Sequence, residues 1–140
     1  MGGSYRWAAE GEFTVVQHLA SQHVTSNAPI YGTAIDTRSY PGQRILAICS
    51  VDARTSHGVT FAVQECADAT TPAMPLAPQS DGWGTAANTD GSLAKLSAAG
   101  QEVMAILPNP NKPWIRLSMT GDTASMDLYA GATLLFFDVP

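Results

Sequence analysis

The stretch that decides the fold is KPWIRLSMTGDTASMDLYAGATLLFFDVP, residues 112–140. From Trp114 to Met119 polar or aromatic side chains alternate with aliphatic ones, which is the period of a strand with two different faces. A turn is predicted at Gly121 and Asp122, and a longer apolar run follows from Met126. The pattern therefore predicts a β-hairpin whose second arm is the longest apolar strand of the chain.

The second arm of this predicted hairpin is apolar on both faces near its end. One face carries Leu128, Ala130, Ala132, Leu134 and Phe136. The opposite face ends with Leu135 and Phe137. A strand that is apolar on both sides needs cover on both, either from a second sheet or from another subunit. We therefore predict that Leu135 and Phe137 form part of a partner interface.

The rest of the chain contains further segments of strand character and little that resembles a helix. They are FTVVQHL (13–19), Ile30 to Asp36, Arg44 to Val51, Gly58 to Glu65 and Glu102 to Leu107. The segments 44–51 and 58–65 are separated by the polar loop DARTSH, so they are predicted to pair as a second hairpin. The sequence thus predicts an all-β fold, an antiparallel β-sandwich or small β-barrel of about six to eight strands.

The chain of 140 residues is predicted to form a single β domain over 13–140, preceded by an N-terminal arm over 1–12. Within the domain, residues 66–100 are rich in Ala, Thr, Pro, Ser and Gly. Prolines at 72, 75 and 78 favour extended chain there over helix, so a long loop is predicted. A loop of this length in a compact domain is usually functional or disordered.

Two aromatic features are candidate contact sites. The arm carries Tyr5, Arg6 and Trp7, which belong either to a frayed terminus or to an arm that places its aromatic rings on a neighbouring subunit. Trp83 lies between two glycines in the long loop, where folding does not require it. It is a candidate interface anchor or sugar platform.

Charge and length of apolar runs exclude some classes of partner. The formal net charge is -5, and the seven Lys and Arg are scattered, which argues against nucleic acid because nucleic-acid binders carry basic patches. No apolar run approaches the roughly 20 residues that span a bilayer, and the first residues lack the pattern of a secretory signal. We expect no membrane partner and synthesis in the cytoplasm. Charged residues make up only 14%, which indicates a surface that is partly covered in use.

No catalytic or metal-binding pattern is found. His18 and His23 are five residues apart, which places them on opposite faces of a strand and does not suit a zinc site. Cys49 lies in an apolar run rather than an electropositive setting, and with Cys66 it is predicted to be a buried, reduced thiol. Aspartates near the strand ends are expected to stabilise turns. The sequence predicts a non-enzymatic protein without cofactor or metal.

The order of the strands resembles that of a family of viral proteins. The segments are Ile35-Asp36-Thr37, Leu46-Ala47-Ile48, Gly58 to Glu65, Trp114 to Leu117 and Ala130 to Leu135. Over about residues 30–137 they resemble small virion structural proteins of tailed bacteriophages, of the capsid decoration or cement class. The resemblance implies a module on the virion surface that binds the major capsid protein, stabilises contacts between capsid subunits and forms a homo-oligomer. The alternative is a carbohydrate- or receptor-binding β-domain, for which Trp83 and the acidic loops are the motivation.

Overall fold

The computed structural model describes residues 13–70, 74–75, 94–107 and 109–138. These ranges contain ten strands and one short 3-10 turn at Thr37–Ser39. The strands are β1 (Phe13–Val24), β2 (Ile30–Tyr31), β3 (Ile35–Asp36), β4 (Arg44–Ser56), β5 (Val59–Cys66), β6 (Met74–Pro75), β7 (Ala94–Leu96), β8 (Glu102–Leu107), β9 (Trp114–Gly121) and β10 (Asp127–Phe137). No helix in these ranges is long and apolar enough to cross a membrane.

The strands form two antiparallel sheets. The four-stranded sheet has the order β1-β10-β4-β8, and the six-stranded sheet has the path β2-β9-β5-β6, with β3 also on β9 and β7 also on β5. Each long strand alternates between a buried and a more exposed side, for example along β4 and β5. The buried sides of the two sheets face each other and form one core, which includes Ile45, Phe61, Leu117, Leu134 and Phe136. The predicted all-β sandwich is confirmed.

The predicted hairpin between β9 and β10 is wrong. β9 pairs with β5 along its whole length, whereas β10 pairs with β1 and β4 in the other sheet. The two strands face each other across the sandwich and do not share an edge. Alternation of apolar and polar residues predicts which side of a strand is buried. The same alternation occurs in strands that pair edge to edge and in strands that pack face to face. The sequence pattern therefore could not separate the two arrangements.

The second predicted hairpin is wrong for the same reason. β4 belongs to the four-stranded sheet and β5 to the six-stranded one, and β4 continues past the predicted end to Ser56. The chain changes sheet at His57, whose φ of 63° is left-handed. The carboxylate of Asp122 accepts a hydrogen bond from the Gly58 N–H at 3.0 Å and fixes this corner. Asp122 thus joins the crossing after β4 to the crossing after β9.

Smaller differences concern the strand limits. β1 continues to Val24, five residues beyond the predicted end, and the predicted strand over 30–36 is divided into β2 and β3. Between them Gly32 donates to the carbonyl of Leu117 at 2.9 Å, so the chain stays at the edge of β9. Leu96 lies within the predicted long loop over 66–100, but the structure places it in β7, where it is buried. The predicted arm over 1–12 and Trp83 lie outside the described residues.

Candidate functional site

The outward side of the four-stranded sheet carries a band of aliphatic side chains, which we call the apolar face. Its members are Leu46, Ile48, Met104, Ile106 and Leu135. The strand register places Leu46 between Leu135 and Ile106, and it places Ile48 opposite Met104. Met104 is 51% exposed, the highest value among the large hydrophobic residues described. The band crosses from β10 over β4 to β8. Ile106 is only 9% exposed, so the accessible part of the band is formed by the other four side chains.

The structure separates the two residues predicted on β10. Both point away from the core, because the inward positions of this strand are 128, 130, 132, 134 and 136. Leu135 is half-buried and belongs to the apolar face. Phe137 is only 7% exposed, so it offers little surface to a partner. The predicted Tyr5, Arg6, Trp7 and Trp83 lie outside the described residues.

Four members of the apolar face were not predicted: Leu46, Ile48, Met104 and Ile106. The signal for them is present in the sequence, because RILAICSV and EVMAIL are apolar at consecutive positions. A strand with no polar side needs cover on both sides, which is the criterion that identifies Leu135. The same criterion, applied to β4 and β8, predicts the other members of the apolar face.

The outward side of the six-stranded sheet differs in chemistry, and we call it the polar face. Its members are Tyr31, Thr60, Gln64, Arg116 and Thr120. The guanidinium carbon of Arg116 lies 3.8 Å from the centroid of the Tyr31 ring, and its Nε donates to Gln64 Oε1 at 2.8 Å. These contacts hold Arg116 flat against the sheet. Tyr31 is 46% exposed.

The two edges of the four-stranded sheet also differ. β8 pairs with β4 over six consecutive residues without a register shift, and within the described chain no strand pairs with its other side. β1, at the opposite edge, has register shifts at Val15/Gln17 and at Leu19/Gln22. At the second shift β1 lies directly over Gly131, where an added Cβ would be 2.7 Å from the carbonyl oxygen of Leu19. The β1 edge is irregular, and the β8 edge is a regular strand that no other described strand pairs with.

His23 and His57 make exposed contacts with carboxylates. His23 Nε2 lies 2.7 Å from Asp127 Oδ1, and its ring stacks on Tyr129 with centroids 4.6 Å apart. His57 Nδ1 lies 3.5 Å from Asp122 Oδ1. Among the residues described, no group of three or more His, Cys, Asp or Glu side chains is arranged to hold a metal ion.

Several aspartates stabilise the local backbone, as their positions near strand ends predicted. Asp36 accepts hydrogen bonds from the N–H and the guanidinium of Arg38, and these hydrogen bonds lower the pKa of the Asp36 carboxyl. Asp68 accepts from the N–H of Thr70 at 2.8 Å. These are the side-chain to backbone bonds that make aspartate favourable in turns.

Cys49 and Cys66 are buried free thiols, as predicted. Cys49 belongs to the core between the sheets, and burial raises the pKa of its thiol to about 12. A thiol with this pKa is protonated near neutral pH and is not a nucleophile. A candidate catalytic cysteine is therefore not supported at position 49.

One pocket, of about 270 Å³, opens where the chain enters β4. Its lining is Thr37, Tyr40, Pro41, Gly42, Gln43, Arg44, Ile45, Asn109, Pro110 and Phe136. Tyr40 stacks on Phe136 with centroids 4.3 Å apart. The lining contains no carboxylate, imidazole or thiol, so the pocket lacks the usual groups for acid–base or nucleophilic chemistry.

Comparisons with known proteins give only weak similarity to solved structures. No protein-family model and no curated protein matches the chain. A solved structure described as Bacillus endospore appendages that form a novel family of disulfide-linked pili is 14% identical, with a TM-score of 0.41 and 93% of each chain covered. The CBM22-1 and GH10 modules of Clostridium thermocellum endo-1,4-β-D-xylanase 10B, complexed with xylohexaose, are 12% identical, with a TM-score of 0.41. That match covers 91% of this chain and 26% of the xylanase chain. At these values neither structure informs the function.

Proposed function

We propose that this protein is a non-enzymatic structural protein that docks its apolar face on a larger assembly. In its specific form, the proposal is a capsid decoration protein of a tailed bacteriophage, which binds the major capsid protein on the outer surface of the virion. The observation that carries the proposal is the aliphatic band from Leu135 across Leu46 and Ile48 to Met104. Contiguous outward apolar surface on a soluble domain marks an interaction site more often than scattered single residues do.

The chemistry of the face suits binding by contact area. Burial of apolar surface contributes roughly 25 cal/mol per Å² removed from water, and it needs no ionisable group. The five members of the apolar face are uncharged. Many copies on a regular lattice gain further from avidity, so moderate affinity for each site is sufficient. A face of this kind favours structural attachment over the binding of a small charged ligand.

The test is saturable binding of the purified protein to capsids that lack it, measured by co-sedimentation. Ile48→Asp places a charge in the centre of the apolar face and should abolish binding, because the carboxylate would be buried without a partner. Thr60→Asp adds the same charge to a half-buried outward position of the polar face and should leave binding unchanged. Absence of saturable binding by the unaltered protein would refute the capsid proposal. Equal binding by both variants would refute the role of the apolar face.

Carbohydrate binding is a second candidate, and one observation on the polar face favours it. Tyr31 exposes an aromatic ring beside the hydrogen-bonding groups of Arg116 and Gln64, which is a combination that sugar sites use. A glycan array would test it, with Tyr31→Ala as the variant that should lose any signal. Binding that survives Tyr31→Ala would place the glycan elsewhere on the chain.

A further inference from the structure

We propose that two copies of this protein pair their β8 strands antiparallel across a twofold axis, which joins two four-stranded sheets into one continuous sheet of eight strands. The inference rests on the proposed structural role and names a partner for the edge of the apolar face: a second copy of the same chain. It follows from the properties of the β8 edge, from the side chains on it and from the register that they allow.

The β8 edge has the features of a strand that accepts another strand. In an antiparallel ladder alternate backbone N–H and C=O groups point away from the existing neighbour, so half of those on β8 point away from β4. Proteins usually protect such edges with Lys, Pro or bulges. Glu102–Leu107 contains no Lys, Pro or register shift, and its one charge is at its first residue. The β1 edge carries two register shifts, so the protection is applied to one edge only.

The outward side chains of β8 also favour cover by an apolar partner. Met104 is 51% exposed in the single chain, and it adjoins Ile48 in the apolar face. A strand added at this edge would cover the exposed flank of Met104 and extend the aliphatic band beyond β8. Since an apolar edge strand promotes association when no strand pairs with it, as is the case for β8 among the described residues, the isolated chain has a reason to self-associate here.

Among the twofold registers of β8, one pairs all five residues 103–107 and leaves Glu102 outside. A twofold axis perpendicular to the sheet that passes beside Ala105 places Ala105 opposite its symmetry copy, Met104 opposite Ile106 of the partner subunit and Val103 opposite Leu107 of the partner subunit. Every opposed pair is then apolar, and Glu102 lies beyond the paired residues. An axis beside Met104 would instead place Glu102 opposite Ile106 of the partner subunit. The second arrangement opposes a carboxylate to an aliphatic chain, which is less favourable.

The arrangement has a consequence for attachment. The twofold axis is perpendicular to the sheet, so the apolar faces of both copies lie on the same side of the eight-stranded sheet. A dimer would therefore bind a surface with two contiguous faces at once, and the second contact would be intramolecular.

Sedimentation equilibrium of the full chain over a hundredfold range of concentration tests the dimer. A five-residue pairing is a small interface, so we expect a concentration-dependent monomer–dimer equilibrium rather than a permanent dimer. Met104→Lys, at an exposed position, should give a monomer with an unchanged circular dichroism spectrum. Ala20→Lys adds the same charge to an exposed position of the β1 edge and should leave the equilibrium unchanged. A monomeric unaltered protein at the highest concentration, or a Met104→Lys protein that still dimerises, would overturn the proposal.

Disulfide trapping tests the register. Opposed residues have Cα atoms about 4.5 to 5.5 Å apart, within disulfide reach, whereas diagonal neighbours are about 7 to 8 Å apart. A mixture of the Met104→Cys and Ile106→Cys proteins should therefore form a cross-linked dimer under mild oxidation, and the Met104→Cys protein alone should not. Efficient cross-linking of Met104→Cys alone would overturn this register.

The two proposals can fail separately. A protein that dimerises through β8 but does not bind capsids would contradict only the capsid role. A protein that binds capsids as a monomer and resists cross-linking would contradict only the dimer.

Discussion

The two outer faces of the sandwich are built on the same backbone alternation but carry different side chains. On the four-stranded sheet the outward positions include Leu46, Ile48 and Leu135, whereas on the six-stranded sheet they include Thr60, Gln64 and Arg116. Both inner faces are apolar and form one core. The comparison shows that the two sheets share the same inward chemistry and differ in their outward side chains, and the proposed docking site lies on the apolar one of the two outward faces.

The largest expected effect on stability is at β10, where substitutions on the inward and outward sides should differ. Leu134 is fully buried in the core, so Leu134→Ala should lower the free energy of unfolding by about 2 to 5 kcal/mol. Leu135 is its half-buried neighbour on the outward side, so Leu135→Ala should lower the free energy of unfolding by under about 1 kcal/mol. Urea denaturation of the two variants measures the difference. Equal losses would mean that the outward side is buried within the single chain, and the comparison between the faces would fail.

A smaller effect is expected at Gly131, on the outward side of the same strand. An added Cβ would lie 2.7 Å from the Leu19 carbonyl oxygen and 3.0 Å from the Ser21 nitrogen, both backbone atoms of β1. Gly131→Ala should therefore shift β1 and destabilise the fold by about 1 to 3 kcal/mol. Ser50→Ala, directly opposite on β4, is the control and should be nearly neutral. A neutral Gly131→Ala would show that β1 can move away without loss.

A third prediction concerns the inner face of the four-stranded sheet at high pH. The pKa of the Cys49 thiol is raised from 9.0 to about 12 in the folded protein, so the thiol ionises first in the unfolded chain. The contribution of the thiol to stability is complete below pH 9.0 and is lost as pH rises towards about 12. Between these two pH values the free energy of unfolding of the unaltered protein should fall more steeply than that of Cys49→Ala. The difference in slope should be about 1.4 kcal/mol per pH unit. Parallel curves for the two proteins would mean that water reaches this part of the core.

The smallest effect is expected on the polar face. Arg116→Ala removes the contact with Tyr31 and the hydrogen bond to Gln64, and it should lower stability by under about 1 kcal/mol because the cluster is half exposed. Thermal unfolding at low and high salt would measure it. If Arg116→Ala lowered stability more than Gly131→Ala does, the polar face would be as important for folding as the contacts of β10.

Burial could be predicted from the sequence, but pairing could not. The alternation along 126–137 correctly identifies Leu128, Leu134 and Phe136 as core residues, because the period of a strand is a local property. Which strand lies beside which depends on contacts between distant segments, and both predicted hairpins were wrong for that reason. Short turns between strands normally favour hairpins. Here the turns after β4 and β9 are held instead by Asp122, which bonds Gly58 beside it at the end of the β5–β9 ladder.

The candidate site was predicted only in part. Leu135 was found because its strand is apolar on both sides, and the same property in β4 and β8 indicates Leu46, Ile48 and Met104. That these side chains form one band could not be predicted, since it requires β8, β4 and β10 to be neighbours. The pairing of Tyr31 with Arg116 likewise depends on β2 lying at the edge of β9.

The two crossings between sheets also determine how the chain can reach its native state. Long strands that follow each other in sequence, β4 then β5 and β9 then β10, lie in different sheets, and the long pairings join distant segments such as β1 with β10. No early local hairpin between these strands can serve as a nucleus, so loop closure has to precede most stabilising contacts. Folding should therefore be slow for a domain of this size, on the order of milliseconds to seconds, as for other sheets with high contact order.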